Sequence, residues 1–110
     1  NEKGAWSKVR AFTVDTVAPT PPALVSPLNN STVNEIPTFF WTQVTGKKYY
    51  HIEISKTSTF TNLVEFKSSL TVWYYTPPSL ADGTYYWHVR VSDAAGNWSK
   101  WSAVWKFTKK

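Results

Sequence analysis

The sequence predicts an all-β domain, an antiparallel sandwich of about seven strands, on three observations. Apolar residues recur with period two, as in "TYYWHVRVSD" and "YYHIEIS", so each run turns one face inward and one outward. Turn-forming clusters such as "TGKK", "PPSLADG" and "DAAGN" interrupt these runs at intervals of about ten residues. Aromatics are abundant, with seven Trp, six Tyr and six Phe, and no stretch carries a helical stripe.

Strands are expected near 23–26, 38–43, 49–55, 63–68, 72–76, 84–92 and 103–109. The first closes the proline-rich lead "APTPPALVSP", and "SPLNNSTVNEIP" behind it reads as a turn cluster. "TFFWT" and "YYHIEIS" follow, joined across "TGKK". "LVEFKS" comes after the turn cluster "TSTFTN", "WYYTP" ends at paired prolines, and "AVWKFTK" closes the set. Alternation assigns Phe39, Trp41, Tyr50, Ile52, Ile54, Tyr85, Trp87, Val89 and Val91 to the core, with Phe66, Tyr75, Leu80 and Phe107. Phe40, His51, Glu53, Tyr86, His88 and Arg90 point the other way, toward water. There is no cysteine, so neither a disulfide nor a thiolate metal site supports the fold, and the aromatic core must suffice.

The chain also repeats itself. Trp6, Ser7, Val9, Phe12 and Thr13 coincide with Trp101, Ser102, Val104, Phe107 and Thr108 at one constant offset of about 95 residues, the size of a small domain. Residues 1–15 are therefore expected to be the terminal strand of a preceding repeat with the start of a linker, and 16–110 one whole domain. The linker "VDTVAPTPPALVSP" holds Pro19, Pro21, Pro22 and Pro27, which bias it toward extended, semi-rigid conformations.

The succession "PTFFWTQVTGKKYYHIEIS" and "SLADGTYYWHVRVSDAAGNWSKWS" resembles the fibronectin type III and immunoglobulin-like repeats of large extracellular bacterial proteins. The resemblance covers about residues 16–110 and implies an Ig-like sandwich. It matches Trp41 to the family's second-strand tryptophan, and Tyr85 or its neighbour Tyr86 to the tyrosine at the corner before the penultimate strand. Spacing, presentation and adhesion outside the cell are the roles it implies, by analogy of fold. Trp98-Ser99-Lys100-Trp101-Ser102 resembles the W-S-x-W-S motif of the cytokine-receptor branch. There the tryptophans interleave with basic side chains, so a cation–π ladder of Arg90 with Trp98 and Trp101 is expected.

Sharper chemistry finds little support in the residues. His51 and His88 read as solvated strand positions, no Gly-rich phosphate loop is present, and Glu53 with Glu65 lacks any sign of a cleft. Asp82, Asp93, Asn29, Asn30 and Asn97 sit in turns, where such side chains cap backbone amides, and no run of closely spaced acids suits calcium. The reading is of a non-enzyme without cofactor or metal. Net charge is +5, but the lysines are scattered, which excludes a nucleic-acid footprint and leaves at most weak attraction to acidic polymers. No apolar run is long enough to insert in a membrane.

Exposed aromatics carry the remaining hypothesis. The internal copy puts Arg10 where the final strand has Trp105, so Trp105 is expected at the surface. With Phe40, Tyr86 and Trp98 it would offer an apolar patch for a polysaccharide, another surface protein or an adjacent repeat. The expected function is thus a spacer or adhesive repeat of a secreted or cell-surface bacterial protein. The alternative is a carbohydrate-binding or enzyme-accessory module.

Overall fold

A computed structural model of the chain describes residues 17–110. The expected strand of a preceding repeat, residues 1–15, lies outside the described residues. The strands among them are β1 (Leu24–Ser26), β2 (Ser31–Val33), β3 (Phe39–Trp41), β4 (Lys47–Ser55), β5 (Leu63–Leu70), β6 (Tyr74–Tyr75), β7 (Gly83–Asp93) and β8 (Trp105–Lys109). They form two sheets, β1-β3-β6 and β2-β8-β7-β4-β5.

Seven of these stand where period-two alternation puts them, within a few residues at each end. β2 does not, because it hides in the turn cluster "SPLNNSTVNEIP". Its pairing explains it: β2 runs parallel to β8, with Ser31 beside Phe107 and Val33 beside Lys109. The preceding turn is tied to the same strand, Asn30 N–H donating to the Lys106 carbonyl at 2.6 Å and Asn29 Oδ1 accepting from Lys106 N–H at 2.9 Å. A three-residue strand held by a distant partner leaves no periodic trace in the sequence.

The sheets face each other over Phe39, Trp41, Tyr50, Ile52, Ile54, Tyr85, Trp87, Val89, Val91 and Phe107, all essentially without exposure. Their rings meet edge to face, Phe39 on Trp87 at 5.0 Å and Trp41 on Tyr50 at 5.6 Å, the geometry that quadrupoles favour. Tyr85 is the corner tyrosine rather than Tyr86, since its hydroxyl donates to the Ala81 carbonyl at 2.6 Å. One expected core member departs and another sits at the core's margin. Phe66 is 56% exposed, because β5 is an edge strand whose irregular pairing on both sides of Glu65–Lys67 resets the alternation and leaves Phe66 opposite outward-facing Glu53. Tyr75 is half-buried at the sandwich's side, where burial and hydrogen bonding to Glu65 push its phenol up to about 12.

Chain direction follows from the pairing. Ala23 and Thr42 exchange two hydrogen bonds, each 2.9 Å, at the turn leading into β4. Lys47 at the start of β4 lies beside Asp93 at the end of β7, whereas Lys109 at the end of β8 lies beside Gly83 at the start of β7. The chain therefore enters the sandwich at one pole and leaves it at the other.

Candidate functional site

Along β7 the core residues Tyr85, Trp87, Val89 and Val91 alternate with Tyr86, His88 and Arg90, which point out from the five-stranded sheet. Beside β7, along the stretch past Trp87 that β8 does not pair, lies the segment Trp98–Ser102, and its serines explain why it docks. Ser99 and Ser102 each use two groups on β7. Their N–H groups donate to the Val91 and Val89 carbonyls at 2.7 and 2.8 Å. Their hydroxyls accept from the Val91 and Val89 amides at 3.0 and 2.9 Å, then donate to the carbonyls of Lys100 and Ala103. The hydroxyls thus complete the ladder for a strand whose neighbour is not itself a β-strand.

This docking aims both tryptophans at β7. The Arg90 guanidinium carbon lies 4.6 Å from the Trp98 ring centroid and 4.7 Å from that of Trp101. Trp101 also stacks on His88, 3.7 Å between centroids and 7° between planes, and His88 stacks on Phe60 at 3.6 Å and 3°. The result is one continuous ladder, Phe60, His88, Trp101, Arg90, Trp98.

Phe60 is a member that alternation does not find. It sits in the turn "TSTFTN" with φ of 58°, a left-handed conformation costly for a bulky residue. Thr57 shapes that turn, its carbonyl accepting from Phe60 N–H at 3.2 Å and its hydroxyl from Thr61 N–H at 3.1 Å. The available signal is a lone aromatic within a cluster of hydroxyl residues.

The ladder also encloses charge. Glu53 Oε1 accepts from His88 Nε2 at 2.9 Å, and Arg90 Nε donates to His51 Nδ1 at 3.2 Å, which places the neutral His51 proton on Nε2, 3.8 Å from Glu53 Oε2. His88, expected in solvent, is only 6% exposed because Phe60 and Trp101 cover its two faces. Burial lowers its pKa below the usual 6.5, outweighing the Glu53 carboxylate, which pulls the other way. Burial likewise lowers that of His51, aided by the Arg90 charge. The two stacked rings leave neither face of the His88 imidazole open, and its Nε2 is engaged by Glu53.

The profile of the bacterial Ig-like domain family matches residues 9–108. The chain belongs to that bacterial Ig-like domain family. No curated protein matches the sequence. Among solved structures, this Ig-like domain resembles an Fn3-like protein from Clostridium thermocellum (20% identity, 86% of this chain and 96% of that one, TM-score 0.64). It also resembles the fibronectin type III domain of human fibronectin type III domain containing protein 3 (21%, 89% and 92%, 0.60). A third likeness is to the alpha-L-rhamnosidase of Streptomyces avermitilis complexed with L-rhamnose (22%, 84% of this chain but 10% of that one, 0.54). These identities speak for the fold alone.

The four aromatics expected to share a patch are divided by the Ig-like sandwich. Tyr86 and Trp98 lie on the outer face of the five-stranded sheet, and Phe40 on the outer face of the other sheet. Trp105 corrects the expectation of a surface position. It pairs with Trp87, shares its inward face and packs against the core ring at 6.2 Å. At the start of β8 the inner face is only partly covered, so Trp105 is half-buried. Phe40 instead keeps company with two aromatics that the sequence reading did not single out. Its ring lies 6.0 Å from Tyr74, which is 5.7 Å from Trp73, and all three are about two-fifths exposed.

The turn residues act on the backbone. Asp93 Oδ1 accepts from the Ala95 and Asn97 amides at 3.0 and 2.9 Å, and Asp82 pairs with Lys109 at 2.8 Å. Among the described residues no three His, Cys, Asp or Glu side chains group as a metal site.

Proposed function

We propose that this Ig-like domain is a non-catalytic spacer and adhesive repeat of a large secreted or cell-surface bacterial protein. Entry and exit of the chain at opposite poles carry the reading, because domains so connected extend a stalk rather than fold back on one another. β7, eleven residues long, spans about 36 Å, which sets the scale of advance per domain. The prolines of the lead stiffen the connection: Pro22 and Pro27 are buried against the domain, tying the connector to its body. The ladder supports the same role, since it pins the Trp98–Ser102 segment alongside β7 just ahead of the exit strand. The likeness to one tenth of a rhamnosidase supports use of this fold as a module within longer chains.

Small-angle scattering on a head-to-tail tandem of two copies joined by "VDTVAPTPPALVSP" tests the reading. The maximum dimension should grow by roughly 40 Å over the single domain. Growth well below that, from side-by-side packing, overturns the spacer role.

A further inference from the structure

We infer that the outer face of the three-stranded sheet is a binding site for neutral polysaccharide, formed by Phe40, Trp73, Tyr74 and Val25. This goes beyond the spacer reading and does not depend on it. Those side chains, in the order Phe40, Trp73, Tyr74 and Val25, are 39, 39, 42 and 47% exposed. Val25, Phe40 and Trp73 line a shallow recess of about 360 Å³ together with Trp41, Thr42 and Gln43. That volume lies at the lower end of the range for small-molecule sites.

Two features select the occupant. The lining holds no charged residue, although the chain carries a net charge of +5, so an anionic polymer gains nothing here and a neutral ligand loses nothing. The open apolar area is on the order of 300 Å², against the roughly 800 Å² per partner that a stable protein interface buries. A patch this small suits a few pyranose units better than a second folded chain. The chemistry agrees. A pyranose with equatorial hydroxyls presents its axial C–H bonds as an apolar face, and aromatic faces attract such polarised hydrogens through their quadrupole. Trp73 and Tyr74 stand at 86° and Phe40 and Tyr74 at 44°, so the rings form a trough that holds a sugar from more than one side. Gln43 and the Thr42 hydroxyl at the rim supply donors for the sugar's hydroxyls.

Affinity electrophoresis of the whole chain through gels containing neutral polysaccharides (xyloglucan, glucomannan, hydroxyethylcellulose, dextran) tests the inference, with titration of the matching oligosaccharide. At least one should retard the protein, and retardation should persist in 0.5 M salt, since stacking is not screened. Trp73→Ala and Phe40→Ala should each weaken binding on the order of tenfold with unchanged melting temperature, while Trp98→Ala on the opposite face leaves it intact. Several results overturn the assignment: no retardation in any of the four gels, loss of retardation with salt, or retardation indifferent to Trp73→Ala. Concentration-dependent self-association abolished by Trp73→Ala also overturns it, by identifying a second copy as the occupant.

Discussion

The two outer faces of the sandwich are built from the same residue type and end in opposite states. On the five-stranded sheet, Trp98, Trp101 and Phe60 are closed off by Arg90 and His88 slotted between them. On the three-stranded sheet, Phe40, Trp73 and Tyr74 meet in one tilted and one edge-to-face pair, with nothing slotted between them, and stay about two-fifths exposed. An outward aromatic is therefore not in itself a ligand platform. It becomes part of the architecture when a planar cation or imidazole from the next strand fills the gap, and remains available when none does. Geometry provides the reason: β7 supplies His88 and Arg90 two residues apart, and the rings of Trp98 and Trp101 fall between and beyond them. β3 supplies only Phe40, flanked by Phe39 and Trp41, which turn inward.

The largest effect belongs to neither face but to the core that both cover. Trp41→Ala should cost about 3–5 kcal/mol in denaturant melts, since Trp41 is 1% exposed and a cavity of indole size cannot collapse between two sheets. It sets the scale for the rest, and a variant melting like the parent would dismantle the assignment of inner and outer faces.

Arg90→Ala tests the closed face directly. It removes the guanidinium from two indole rings and from His51, and should cost about 2 kcal/mol, above the figure for an exposed cation–π pair because Arg90 is half-buried. Arg90→Lys should recover less than half, because an ammonium cannot lie flat between two rings. Full recovery by lysine would reduce the ladder to simple charge.

A milder perturbation of the same face comes from pH. In the unfolded chain His51 and His88 take up a proton near pH 6.5, and in the folded chain burial holds both below that value. Between the two values the unfolded chain binds more protons, so stability falls as pH drops. It should be full above about pH 7, decline through 6.5, and level off once the folded imidazoles protonate. Glu53, which engages His88, softens the fall, and Arg90, beside both rings, steepens it. Melting temperature measured from pH 8 to 5 should show this slope, and His88→Gln should flatten it. A profile flat to pH 5 in the parent protein would mean that the rings titrate as if in water.

How far these faces can be read from the sequence differs for a physical reason. Core parity on β3, β4 and β7 is legible because those strands are interior to their sheets, with one face held against the core. The motif Trp98–Ser102 and the outward parity of Arg90 likewise bring the ladder's cation and tryptophans into view. Parity fails at Phe66, where an edge with irregular register changes what lies over a side chain, whereas at Trp105 it is the internal copy, with Arg10 in its place, that misleads, since parity with Phe107 already turns Trp105 inward. It says nothing of Phe60, whose place depends on a backbone turn around Thr57, nor of β2, fixed by a partner far along the chain. Alternation states which way His88 points. Whether water is there depends on Phe60 and Trp101, which arrive from two other segments.

The smallest expected effect tests the open face. Phe40→Ala should change stability by no more than about 0.5 kcal/mol, as for a surface position away from any cap, charge pair or cavity. Phe40 meets Tyr74 at 6.0 Å and 44°, a loose tilted pair, and solvent already reaches two-fifths of its surface, so truncation opens the site to water instead of leaving a void. Tyr74→Ala should behave the same way. Measured beside Arg90→Ala under one set of conditions, the pair decides whether the two faces differ in kind. If Phe40→Ala costs as much as Arg90→Ala, the three-stranded face is also architecture, its rings are held by packing within the domain, and their exposure has no ligand to explain. If the cost is near zero, selection for stability gives no reason to keep three large aromatic rings there, and binding remains the reason for them.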